Sequence, residues 1–127
     1  METAVQVFAV IQLGIVALSH ILAPRAWAEF FLLLRERGHA GVFVVAFMSL
    51  WFGSIIVAFH NVWSGLPLVL TLLGWGQVLK ALIYFLFPAF GLRRIGMVSP
   101  ERAVVFVYGG VLLLALAGVI AYHLLRS

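Results

Sequence analysis

Three side chains between His60 and Pro88 could do chemistry together. Gln77, Lys80 and Tyr84 are three and four residues apart. On an α-helix they fall within about a sixth of a turn of one another. They offer an amide, an ammonium and a phenol to one place. Such a stripe can hold an anion, a lipid headgroup phosphate or a carbonyl-bearing small molecule. Trp75 lies just before it, between Gly74 and Gly76, where a ligand or a neighbouring helix can come close. Gln77, Lys80, Tyr84 and Trp75 are therefore the candidate ligand-binding residues. The plainer alternative lets Lys80 run its stem towards the headgroups, with Gln77 as a helix–helix hydrogen bond.

Histidine raises a different chemistry. His60 and His123 fall at corresponding helix ends and could approach each other. Two neutral imidazoles can ligate haem or a divalent metal. Nothing in the spacing requires it, so no cofactor is expected, and a haem- or quinone-binding redox subunit is kept as the third alternative. His20 and His39 lie elsewhere along the chain, and Ser19-His20 is a lone pair that reads as packing. Enzyme signatures are missing: there is no Gly-rich phosphate loop, no paired carboxylates and no nucleophile elbow. The acids are Glu2, Glu29, Glu36 and Glu101, all outside the apolar stretches. None can pair with Lys80, which argues against a proton pump built from this chain alone.

The elements that must carry these residues follow from composition. Of 127 residues, 65% are hydrophobic and 9% charged, and mean hydropathy is +1.21. A soluble domain of this size could not hide so much apolar surface. The long apolar runs imply an all-α, polytopic membrane protein: one transmembrane domain over residues 1–127, an antiparallel four-helix bundle. The spans are expected at about 4–22, 42–60, 66–87 and 103–125. Glu2 rather than a basic segment precedes the first run, so no cleavable signal peptide is expected. Cysteine is absent, which excludes thiol chemistry and disulfides. The net charge of +4 is a topology signal rather than a nucleic-acid footprint, because the arginines cluster in joints.

Residues 25–37 differ in kind. Trp27, Phe30, Phe31 and Leu34 recur at helical spacing, with Arg25, Glu29 and Glu36 towards the other side. This predicts a short amphipathic helix lying in the membrane interface. Ser49 and Gly53 form a small-residue pair, and Gly110, Ala117 and Ala121 a small-residue face; both suit close helix packing. Ser99-Pro100-Glu101 reads as a helix start. Arg25, Arg35 and Arg37 mark one joint and Arg93, Arg94 and Arg102 another, while the joint between them is uncharged. Both basic joints should face the cytoplasm and both termini the outside, with Arg126 dissenting.

The two halves also look alike. Pro24 and Pro88 each end a span, and Ile56-Val57-Ala58-Phe59-His60 matches Val119-Ile120-Ala121-Tyr122-His123. That suggests a duplicated hairpin. The match is imperfect: with His60 set against His123, Ser49 and Gly53 fall opposite Leu112 and Leu116.

His60-Asn61-x-Trp63, Pro67, Leu70-Thr71, Gly74-Trp75, Lys80 and Pro88 together resemble the pattern HNxW…P…LTxxGW…K…P of a group of small bacterial four-span integral membrane proteins. The resemblance covers the middle quarter of the chain. It implies four spans, a bacterial inner-membrane location and a place for Lys80 in the motif, and it brings no activity with it. From the residues themselves the expected function is an oligomeric transport or permeation unit for a small neutral or anionic solute. The alternative is an accessory or assembly subunit docked on a larger membrane complex. Membrane lipid, a second copy or such a complex are the expected partners; nucleic acid is not.

Overall fold

The computed structural model describes residues 1–126, Pro100 as backbone only. Among them are six α-helices and no strand: α1 (Glu2–Leu22), α2 (Pro24–Glu36), α3 (His39–Phe59), α4 (Leu68–Leu86), α5 (Pro88–Ile95) and α6 (Val104–Arg126). A 3-10 turn, Pro100–Arg102, precedes α6, so Ser99-Pro100-Glu101 opens this turn rather than the α-helix itself. Four helices, α1, α3, α4 and α6, are long and apolar enough to cross a membrane. Each begins and ends within a turn of the span expected from hydropathy.

Two prolines shape the ends of α1 and α4. A residue before proline is pushed out of the helical region. Ala23 accordingly has φ −132° and ψ 52°, and Phe87 has φ −130° and ψ 68°. Each still donates its N–H back into the preceding helix, Ala23 to Ser19 and Phe87 to Ile83, both at 2.8 Å. Proline then sits at the first turn of the next helix, where its missing N–H costs nothing. The result is two bends of the same geometry, each followed by a short amphipathic helix. α2 buries Ala28 and Leu34 and half-buries Trp27, Phe30 and Phe31, while Arg25, Glu29, Arg35 and Glu36 are exposed. α5 buries Gly91 and Ile95 and exposes Arg93 and Arg94. Sequence reading treats α5 as part of a joint; eight residues are too few to show a period.

The long helices pack in two pairs, α1 along α6 and α3 along α4, while α1 and α3 touch at few points. Each pair is antiparallel. Along α3 and α4 the contacts run in opposite senses, Phe47 with Phe85 and, further on, Gly53 with Gln77. Gly53 and Gly74 set how closely these two cross. A Cβ on Gly53 would stand 2.8 Å from the Gly74 carbonyl oxygen, and one on Gly74 would collide with Ile56. Gly110 does the same for α6 against α1, 2.8 Å from the Ala17 carbonyl oxygen. Ser49 and Ala117 are buried and Ala121 half-buried. These small residues are used mostly inside the chain.

Two apolar clusters hold the bundle. One, towards the His60 end, gathers Val5, Ala9, Leu13, Ile56, Leu70, Ala117 and Ile120. The other, towards the arginine-bearing end, gathers Leu34, Val42, Val45, Ala46, Tyr84 and Ile95. Large apolar side chains such as Leu22, Leu112 and Leu125 face outward, as a lipid-facing surface requires.

Candidate functional site

Two groups of polar side chains lie within the bundle, and they differ in how their hydrogen bonds are met. The first closes one end. His60 caps α3 and is fully buried. The Gln6 amide nitrogen, on α1, lies 3.1 Å from His60 Nε2. An amide nitrogen only donates, so Nε2 accepts and the proton sits on Nδ1. Nδ1 then donates to Thr71 Oγ1 on α4, also at 3.1 Å. Thr71 passes its own hydroxyl proton to the Val62 carbonyl at 2.8 Å. The chain of donors ends on a backbone carbonyl, and it ties α1 to the α3–α4 pair. Burial pulls the His60 imidazole below its ordinary range; its backbone hydrogen bond and Glu2 work against this and His123 with it.

Both ring nitrogens of His60 are engaged in hydrogen bonds, Nε2 as acceptor and Nδ1 as donor. His123 is half-buried and lines a second crevice, of about 660 Å³, with Glu2, Gln6 and Arg126 at the same end. Among the described residues no three His, Cys, Asp or Glu side chains converge.

The second group lines a cavity of about 530 Å³ between the two helix pairs, where α1 and α3 are least in contact. Leu13 of one apolar cluster and Val45 of the other form part of its wall. Gln12 and His20 from α1, Ser49 from α3, and Gln77 and Lys80 from α4 supply its polar lining. Phe8, Trp27, Phe31, Trp51 and Phe52 supply aromatic surface. The volume suits a small organic molecule, and an apolar wall with a few convergent polar groups is the usual form of a ligand site.

Among the described residues Gln12, Ser49 and Gln77 have no hydrogen-bond partner, and no polar atom of theirs is sealed from its surroundings. The Lys80 ammonium has one neighbour of note, the Tyr84 ring, with Nζ 5.6 Å from its centroid. Lys80 is the cavity's one cation, and no carboxylate lines it.

The structure divides the stripe expected from the sequence. Gln77 and Lys80 reach the cavity together. Tyr84 does not: it is buried in the lower apolar cluster, its ring against Gly91 of α5. Trp75 also turns away. It is exposed and donates its indole N–H to Asn61 Oδ1 at 3.4 Å. The bonds of His60 to Thr71 and of Trp75 to Asn61 join residues of the HNxW…LTxxGW pattern, so that stretch folds back on itself. Sequence reading treats Ser19-His20 and the Ser49/Gly53 pair as packing and does not single out Gln12. The signal for each was the same as for Gln77, a polar side chain in an apolar span. What it could not supply was which faces meet.

Fold and site together define a multi-pass membrane protein with a polar-lined cavity among its spans. No family model, no characterised protein and no solved structure matches the chain.

Proposed function

We propose that the protein binds a small neutral or anionic molecule with an apolar body and an oxygen-bearing head, and passes it between the bilayer and the cavity as a transport or permeation unit. One observation carries this reading: Ser49, Gln77 and Lys80 meet at one cavity with no hydrogen-bond partner among the described residues, beside the exposed Gln12. Water is scarce at that depth, and an unpaired polar group there is costly. Lys80 and Gln77 would take the head, and the apolar body would lie along Phe8, Phe52 and Leu73. The sparse packing of α1 on α3 supports entry from the side.

The setting belongs to the same proposal. The six arginines of the two basic joints favour a cytoplasmic position for α2 and α5, a bacterial inner membrane and both termini outside. The polar outer face of α2 supports its lying in the interface. The matching bends at Pro24 and Pro88 support descent of the two halves from one hairpin. A second reading, docking on a larger membrane complex, draws on α6, the least covered of the four spans.

Organic extracts of purified protein test the first reading. Wild type should carry one amphipathic species that Lys80→Met carries at least about tenfold less, the scale of a charge-assisted hydrogen bond. Equal loading of both proteins with all species would remove Lys80 from the site.

A further inference from the structure

His20 gives the cavity something that Lys80 and Gln77 do not, an acceptor. Its Nδ1 lies 2.8 Å from the Val16 carbonyl. A carbonyl only accepts, so Nδ1 carries the proton and Nε2 of the neutral ring keeps a lone pair. Nε2 has no hydrogen-bond partner among the described residues and is not sealed off. The ring cannot turn easily to hide it. Trp27 stacks on its face at 4.1 Å with the planes 27° apart. The indole is itself fixed by donating to Ser19 Oγ at 2.8 Å. Phe106 closes another side at 5.5 Å.

The cavity is therefore two-headed. Lys80 donates at one position and His20 accepts at another, with flat aromatic surface from Phe8, Trp27, Phe31 and Phe52 along the wall. We infer that the occupant is a lipophilic phenol that also carries a carbonyl or carboxylate, its hydroxyl donating to His20 Nε2 and its acceptor oxygen held by Lys80 and Gln77. A simple fatty acid satisfies Lys80 and leaves His20 unpaired. An unsubstituted phenol satisfies His20 and leaves the ammonium without an acceptor. An aromatic ring bearing both groups meets both and stacks on the walls. This rests on the cavity being a ligand site, as proposed above.

The test uses the full chain in phospholipid nanodiscs. Trp27 and Trp51 line the cavity and serve as fluorescent reporters. The probes are octyl para-hydroxybenzoate and its methyl ether, octyl para-methoxybenzoate, which differ only in the hydroxyl proton and a methyl group. Wild type should prefer the phenol about five- to tenfold, the worth of one hydrogen bond in a dry site. His20→Phe keeps the ring stack and should bring the ratio close to one while still binding the ether. Lys80→Met should weaken both probes about equally. If both probes bind wild type equally, or the preference survives in His20→Phe, the hydroxyl inference is overturned and the ligand site stands. If neither probe binds and Lys80→Met changes nothing, the ligand site itself falls.

Discussion

The two polar groups in this bundle have similar ingredients and opposite hydrogen-bond accounts. At one end Gln6, His60 and Thr71 bring an amide, an imidazole and a hydroxyl from α1, the end of α3 and α4 and join them in one chain of hydrogen bonds. In the middle Gln12, His20, Ser49, Gln77 and Lys80 bring the same kinds of group from three helices and leave most of them unpaired. A saturated network fixes helices relative to one another, because losing any member strands the rest in a dry place. An unsaturated one does nothing for the fold that an apolar side chain would not do better. The contrast separates residues that hold the structure from residues that await a partner.

The sharpest way to break this contrast is to delete the hub of the saturated group. His60→Ala leaves Gln6 and Thr71 facing a hole and should cost about 2–4 kcal/mol of stability, from the stranded groups and the lost volume together. Thermal unfolding in detergent reads it directly. A loss near zero would mean that the chain of donors does not tie α1 to the α3–α4 pair.

Much of the fold was legible because bilayer thickness sets helix length and hydropathy reports it. The bends were legible too, since proline announces them. Pairing was not. The apolar faces of α1, α3, α4 and α6 carry little directional information, and α1 chooses α6 through details such as Gly110 over Ala17. The fate of Tyr84 shows the same limit. It shares a stripe with Gln77 and Lys80, but α5 folds beneath α4 at its level and turns that part of the stripe into core. His60 was legible as a histidine at a helix end. Its saturation depended on Gln6, fifty-four residues away, and no local pattern encodes that.

A gentler probe leaves the side chain in place and adds a proton. Neutral His60 accepts from Gln6; the imidazolium has two N–H groups and cannot, unless the Gln6 amide turns over. The groups facing it are Glu2 and Gln6 from α1, Thr71 from α4 and His123 from α6. The folded state lowers its affinity for a proton, so the unfolded chain binds more protons and stability rises with pH. The contribution is complete above the usual imidazole value of about 6.5 and is lost progressively as pH falls below it. Melting curves of wild type and His60→Asn should converge as pH falls through this window. Curves that stay parallel would show that His60 carries its proton as easily folded as unfolded.

The smallest effect is the one that separates the two regions most cleanly. Gln77→Leu removes an unpaired amide from the cavity and replaces it with a side chain of similar size. No partner is stranded, and an apolar group suits the wall. Its unfolding free energy should therefore change by no more than about 0.5 kcal/mol, and towards greater stability. The corresponding change in the saturated group, Gln6→Leu, strips His60 of its donor and should cost about 1–2 kcal/mol. Measured side by side in the same detergent, the two glutamines should thus respond with opposite sign. If Gln77→Leu is as damaging as Gln6→Leu, Gln77 serves the fold, and the cavity loses one of the two residues assigned to the ligand's head.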